Sequence, residues 1–241
     1  MKRRTINPSA LPTIGQPFAG GFYAGRLFFD GAEHAVIDAG RDFECSAHWW
    51  QEQGPRPRIR GATSRFDGLT NTLAMAAEGS AIARKVLSMN IRGTWGWHIP
   101  SIEELQVLRS NLLQLPAWGR DGHYQDRSAA QAFICDHDYW SSSQKENAAT
   151  AWCISMYPWS IPDTNWVSKS KGIRPVRTLL ITEESFIHAP STDSPQTEAD
   201  LRCLANQTAV ASVLERFVNE DAGKFYGRTD ELVAELAALA K

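Results

Sequence analysis

The stretch GWHIPSIEELQVL, residues 96–108, constrains the fold of this chain most, because it predicts both the start and the buried face of one helix. Ser101 stands three positions before Glu104. That is the spacing of a capping box, in which each side chain accepts a hydrogen bond from the other residue's backbone N–H. Four apolar residues then recur at helical spacing, and the helix is expected to end near Leu115, just before a proline. They are Ile102, Leu105, Leu108 and Leu112.

Short runs rich in aromatic and β-branched residues predict antiparallel strands on both sides of this helix. FYAGRLFF and HAVIDA flank the turn sequence Asp30-Gly31, which predicts a hairpin. YWSSS and TAWCISMY, joined by the polar QKENAA, predict a second antiparallel pair. IRPVRTLLI is interpreted as one further strand, in which Pro175 indicates an edge position or a bulge. The predicted fold class is therefore α+β.

A second helix is predicted upstream, where Asp67 can cap a run from about residue 69 to about residue 89. Gly79 weakens this helix by roughly 1 kcal/mol relative to alanine. Its expected apolar stripe is Leu73, Ala77, Ile82, Val86 and Met89. A single core is expected to hold Trp97, Leu105, Trp140, Trp152 and Val176.

The composition limits the classes of function. The formal net charge is −2, so no overall basic field favours nucleic acid as a partner. No apolar run approaches the roughly 20 residues that a membrane helix needs, and the polar segment after MKRR does not resemble a signal peptide. We therefore expect synthesis in the cytoplasm, no membrane insertion and reduced thiols. A Cys135–Cys153 disulfide between neighbouring strands remains an alternative.

The sequence shows no catalytic motif. It lacks the glycine patterns that bind phosphates, and the serines at 141–143 are not part of a G-x-S-x-G turn. The CDHD segment, residues 135–138, groups metal-binding side chains, but adjacent strand positions point to opposite faces and cannot all bind one ion. We therefore expect no enzymatic activity, no cofactor and no metal.

The order GWHIPSIEELQVL, YWSSSQ, TAWCISMY, GIRPVR resembles the Lcl C-terminal family, which is named for a collagen-like adhesin. Its members carry LP, Ser or Thr and EL at the start of a helix, then YWSS, an AW strand and R-x-V-R. GGFYAG and SRFDGLTNTLA are similar to phage versions. The resemblance implies a C-type-lectin-like fold, with two helices around a small twisted antiparallel sheet and long loops. HIP in place of LP and the segment after residue 181 depart from the family pattern.

Four segments are expected along the chain. They are an irregular N-terminal arm (1–20), a C-type-lectin-like domain (21–181), a polar linker (182–196) and a helical hairpin appendage (197–241). The appendage has two amphipathic stripes, expected in helices of about 197–219 and 229–240, and such stripes need a surface to pack against. We expect the two helices to pack on each other and also on the main domain, on a second copy of the chain or on a neighbouring protein, and a homo-oligomer is the expected outcome.

The resemblance implies a non-enzymatic phage virion protein of the tail or tail fibre. Such a protein is located in the virion and binds other virion proteins or a host-surface protein or glycan. One alternative is a capsid-decorating or other purely structural virion protein. A further alternative is an oxidase like the formylglycine-generating enzymes, although Cys135 and Cys153 do not match the cysteine arrangement that such an enzyme needs.

Recognition is expected on two long loops, because a rigid scaffold can carry aromatic and small polar groups on such loops. The loop at 117–126 offers Trp118, Arg120, His123 and Tyr124. The loop at 157–168 offers Tyr157, Trp159, Asp163, Asn165 and Trp166. The alternative for Trp159 and Trp166 is that they merely pack the loop onto the core.

Overall fold

A computed structural model describes residues 4–51, 57–121, 124–125, 127–134, 138–146, 149–182, 218–219 and 224–225. The chain divides into two compact units, Met1–Ser185 and Phe186–Lys241. The described part of the first unit has two five-stranded sheets and three α-helices, which confirms the mixed α+β class. None of the helices in the described ranges is long and apolar enough to cross a membrane.

The elements are as follows. The helices are α1 (Gly68–Ala77), α2 (Ala81–Leu87) and α3 (Ile102–Leu112). The strands are β1 (Thr5–Ile6), β2 (Pro17–Phe18), β3 (Gly21–Phe29), β4 (Ala32–Asp38), β5 (Cys45–His48), β6 (Arg120–Asp121), β7 (Tyr124–Gln125), β8 (Asp138–Gln144), β9 (Thr150–Ser155), β10 (Asp163–Trp166), β11 (Ser170–Ile173), β12 (Val176–Ile181), β13 (Val218–Asn219) and β14 (Lys224–Phe225).

The first sheet has the strand order β1-β12-β4-β3-β2. Its centre is the predicted hairpin of β3 and β4, whose turn residues Asp30 and Gly31 both have positive φ, 52° and 73°. That conformation suits the twist of a two-residue hairpin. The arm that was expected to be irregular contributes two edge strands, because β1 pairs parallel with β12 and β2 pairs antiparallel with β3.

The second sheet has the strand order β10-β9-β8-β11-β5. Its β8–β9 pair confirms the predicted pairing of YWSSS with TAWCISMY. The predicted strand over IRPVRTLLI is confirmed for Val176–Ile181, which form β12 of the first sheet, whereas Ile173 ends β11 of this sheet. The edge position suggested by Pro175 is wrong, because β12 lies between β1 and β4. The chain crosses between the sheets at Arg174-Pro175. Proline has no backbone N–H, but Pro175 lies between the two strands, so no hydrogen bond of a sheet is lost there. The segment at 157–168, which was expected to be a long loop, also contains β10.

Helix α3 begins as predicted. Ser101 is its N-cap, both bonds of the capping box with Glu104 are present, and the four stripe residues are fully buried. Its α-helical part ends at Leu112, three residues before the expected end.

The predicted helix of residues 69–89 is instead two helices. Gly79, with φ of 107°, ends the first, and the Ser80 side chain accepts from Ala83 N to cap the second. The expected stripe is wrong for α1, because Leu73 and Ala77 are exposed. The buried residues of α1 are Gly68, Leu69, Asn71, Thr72 and Met75.

Among the described residues, three apolar clusters take the place of the single expected core. Leu105 and Val176 lie in one, with half-buried Trp152 packed against it. Trp140 lies in a second and Trp97 in a third. The separation follows from the fold, because each of the two sheets has its own faces to cover.

The second unit is described only at β13 and β14, which pair antiparallel. Val218 and Asn219 were expected to end a helix, and their pairing with Phe225 and Lys224 contradicts that end. The rest of the linker beyond residue 182 and of the predicted helices lies outside the described residues.

Candidate functional site

The serines of the YWSSS motif have structural roles. Ser141, Ser142 and Ser143 are fully buried. Ser142 Oγ donates to Pro100 O at 3.2 Å, and Ser143 Oγ donates to Ser64 O at 2.7 Å. These bonds join β8 to the segments that precede α1 and α3, so the motif builds the scaffold.

Trp118 is also structural, and its predicted place on a recognition surface is wrong. It is 1% exposed and donates through Nε1 to Asp38 Oδ2 at 3.2 Å. Asp38 also receives bonds from the buried guanidinium of Arg174, at 2.7 and 2.9 Å. A tryptophan held in such a buried network cannot meet a partner.

The remaining residues of the first predicted loop are placed only in part. Arg120 lies in β6 and Tyr124 in β7, which pair antiparallel through Arg120↔Gln125 and Asp121↔Tyr124. The side chains of Arg120 and Tyr124, and the whole of His123, lie outside what the structure describes. The role of these three residues in recognition stays a prediction.

The second predicted loop carries the two most exposed large apolar side chains of the described residues, Ile161 and Trp159, and it also carries the exposed Trp166. Ile161, Trp159 and Trp166 are 78%, 72% and 51% exposed. We call these three residues the apolar edge. Tyr157 is half-buried, and its ring stacks on Trp159, with centroids 5.3 Å apart and planes 13° apart. Sequence reasoning missed Ile161, although an isoleucine between Ser160 and Pro162 in a polar loop could have indicated it.

The segment before the apolar edge is tied to the scaffold. Arg109, near the end of α3, donates through Nη1 to Pro158 O at 2.9 Å. Because the ladder of β10 and β9 holds the other end of the segment, Trp159 and Ile161 are exposed on a connection fixed at both ends.

A groove of about 500 Å³ lies beside Trp159 and Ile161. Its walls come from the start of β8, the end of β9 and residues 159–163, and include Asp138 and Asp163. Alternation along β10 puts Asp163 and Asn165 on this face of the sheet and Thr164 and Trp166 on the other. The predicted residues Trp159 and Asp163 therefore share the groove, whereas Trp166 lies on the opposite face.

Asp138 is the charged centre of the groove. Lys171 Nζ donates to its Oδ2 at 2.5 Å and Ser155 Oγ to its Oδ1 at 2.9 Å. Burial alone raises the pKa of Asp138, but the bonds from Lys171 and Ser155 outweigh it and lower the pKa below the ordinary value. The groove therefore presents an ionised carboxylate at neutral pH.

Cys153 is a free thiol at the back of the groove. Burial, with help from the negative charge of Asp138, raises the pKa of Cys153 to about 12. Such a thiol stays protonated at neutral pH and is a poor nucleophile. Cys135 lies outside the described residues.

Within the described residues, no three His, Cys, Asp or Glu side chains are grouped so that they could hold a metal ion. Residues 135–137 of the CDHD segment lie outside those residues. The edge strand β10 and the segment before it thus carry exposed apolar side chains on both faces, with the groove beside Trp159 and Ile161, and this arrangement suits binding.

The chain matches no protein-family model, and no curated protein matches it either.

Proposed function

We propose that this chain is a non-enzymatic binding protein that contacts its partner through the apolar edge and the adjoining groove. The observation that carries the proposal is the exposure of Trp159, Ile161 and Trp166 within one segment anchored at both ends. Aromatic and large apolar side chains are the groups that dominate binding energy at interfaces. A rigid segment also loses little conformational entropy when it binds.

The partner class in this proposal is a host-surface protein or glycan, or a neighbouring virion protein. The resemblance to the Lcl C-terminal family supports a phage tail or tail-fibre protein with a C-type-lectin-like domain. The geometry adds a reason of its own. The groove places hydrogen-bonding carboxylates next to an aromatic face, a combination that can hold either a peptide or a sugar.

The oxidase alternative receives less support. An enzyme of that kind needs a thiolate to start its chemistry, and the raised pKa of Cys153 disfavours one. The capsid-decorating alternative uses the same surface for a neighbouring protein, so the experiment has to separate receptor binding from assembly.

The test compares Trp159→Ala and Trp166→Ala with Trp95→Ala in the full-length protein. Trp95 is 51% exposed, as Trp166 is, but lies outside the apolar edge and so is a matched control. Thermal melting, binding to host cells and incorporation into virions are measured for each variant. We expect near wild-type melting for all three and a binding loss only for the two edge variants.

The pattern of loss identifies the partner. Lost cell binding with normal incorporation indicates a host receptor, and lost incorporation indicates a neighbouring virion protein. Wild-type binding and incorporation in both edge variants would refute the proposal. A large fall in melting temperature for Trp159→Ala or Trp166→Ala would instead assign that tryptophan to the core.

A further inference from the structure

β10 ends the strand order of the second sheet, so one side of its backbone points away from the sheet. In an antiparallel pair, the N–H and C=O of one residue point to the same side, and successive residues alternate. Val167 N donates to Ala149 O at 3.3 Å, just past the end of the β10–β9 ladder. By alternation, the backbone groups of Thr164 and Trp166 point outwards.

The outward N–H groups are already occupied by side chains of the same strand. Thr164 N donates to Asp163 Oδ1 at 2.7 Å, and Trp166 N donates to Asn165 Oδ1 at 2.8 Å. The outward carbonyl of Trp166 accepts from Lys169 N at 2.9 Å. A strand that approached this edge would have to displace Asp163 and Asn165 before it could pair.

We propose that Asp163 and Asn165 close this edge of the sheet to strand addition, and that a second copy of this chain pairs through β10 once both acceptor oxygens are removed. Unprotected edge strands are templates for pairing with another chain. The neighbouring Trp159 and Ile161 are strongly exposed, and apolar surface of this kind favours association. The inference goes beyond the proposed function, because it requires that a natural partner contacts side chains and not the β10 backbone.

The geometry favours one pairing. Two antiparallel copies of β10 related by a twofold axis at Thr164 would exchange two hydrogen bonds between the N–H and C=O groups of that residue. In the native chain the Asp163 carboxylate occupies the Thr164 N–H, and two such carboxylates would also approach each other across the axis. Both effects oppose the dimer.

The experiment uses the full-length chain with Asp163→Ala/Asn165→Ala. The matched control is Asp163→Asn/Asn165→Asp, which exchanges the two residues and so keeps both acceptor oxygens and the net charge. Light scattering gives the mass of each variant over a range of protein concentrations. Hydrogen exchange reports on the N–H groups of Thr164 and Trp166, and thermal melting confirms that each variant is folded.

We expect the mass of the alanine variant to rise above the wild-type mass as concentration increases, because each β10 edge can then pair with the edge of a second copy. The N–H of Thr164 should exchange faster than in the wild type when the variant is dilute and slowly when it is associated. The exchanged variant should keep the wild-type mass throughout. If the alanine variant does not fold, Asp163→Val/Asn165→Val repeats the test, because valine favours strands and has no acceptor oxygen.

Two results would overturn the proposal. One is a folded variant without acceptors that keeps the wild-type mass at every concentration. The other is association of the exchanged variant to the same extent as the alanine variant.

Discussion

Arg174 lies where the chain passes from one sheet to the other, and its guanidinium allows two acidic side chains to be buried. It bonds to Asp38 and, through Nη1 at 3.0 Å, to Glu44, and all three side chains are fully buried. Burial lowers the pKa of Arg174, but the Asp38 and Glu44 carboxylates outweigh it and raise the pKa above the ordinary value. Tyr139 donates to the same Glu44 carboxylate at 2.7 Å, so this network joins both sheets.

We predict that Arg174→Met destabilises the fold by about 3–5 kcal/mol, because it leaves two buried carboxylates without their cation. Urea unfolding followed by circular dichroism measures the loss. Arg26→Met is the control, since the Arg26–Glu33 pair is exposed on both sides and its removal should leave the unfolding midpoint close to wild type. Equal small effects for the two variants would show that the network is not important for stability.

The pair of Lys171 and Asp138 predicts a pH dependence. The folded-state pKa of Asp138 is lowered from the ordinary 3.8, so this carboxylate adds stability above that pH and loses it as pH falls through the folded value. Lys171→Met should lower the urea unfolding midpoint at neutral pH. As the pH falls into the acid range, the midpoint of this variant should decrease less than that of the wild type. Lys169→Met, which removes an exposed lysine two positions away, should keep the wild-type pH profile. Parallel acid profiles for Lys171→Met and the wild type would contradict this prediction.

At the scale of elements, the break between α1 and α2 determines how the segment before α3 packs. Gly79 adopts a φ of 107°, and Ser80 N donates to Met75 O at 2.9 Å, which closes the end of the first helix. Ser80 then caps α2 through Ala83 N. The break lets α1 place Asn71 against the buried serines of β8 and Thr72 against the backbone of Ile99. The second helix, α2, packs Ile82 and Val86 into the cluster around Trp140.

We predict that Gly79→Ala destabilises the protein by about 1–2 kcal/mol, because an alanine at positive φ is strained. If residues 69–89 formed one continuous helix, Gly79→Ala would instead stabilise the protein by roughly 1 kcal/mol, because alanine favours a helix interior over glycine. A steric clash does not contribute to the expected loss, because the atom nearest to an added Cβ at residue 79 is Arg84 Nη2, at 3.8 Å. Thermal melting of Gly79→Ala against the wild type therefore decides between one helix and two.

Local patterns were sufficient to predict the hairpin at Asp30-Gly31, the β8–β9 pair and the start of α3, because each depends on contacts between residues close in sequence. The two-sheet arrangement was not predictable, since it depends on Arg174-Pro175 passing between sheets and on distant partners such as Asp38. The candidate site divides in the same way. Trp159 was predicted to lie either on a recognition surface or against the core, and it is 72% exposed. Trp118 looked equivalent in sequence but is buried, with a hydrogen bond to Asp38, 80 positions away.

At the scale of the whole molecule, the chain divides into two compact units. Both five-stranded sheets, the three helices and the three apolar clusters lie within Met1–Ser185. The second unit, Phe186–Lys241, contains the amphipathic stripes that the sequence shows at 197–241. We propose that these stripes assemble copies of the chain or attach it to a neighbouring virion protein.

Removal of residues 186–241 tests this proposal on assembly. The truncated chain should melt cooperatively with native-like circular dichroism, because it keeps every described core residue. Light scattering gives the number of chains in each particle. We expect this number to be lower for the truncated chain than for the full-length protein, because the stripes that would pack between copies have been removed. The second expected stripe consists of Leu232, Leu236 and Leu239. Leu236→Glu in the full-length chain is the matched variant, since it puts a charge into this stripe without shortening the protein. We expect it to weaken assembly in the same direction. An unchanged number of copies in both variants, with normal incorporation into virions, would show that the stripes serve neither purpose.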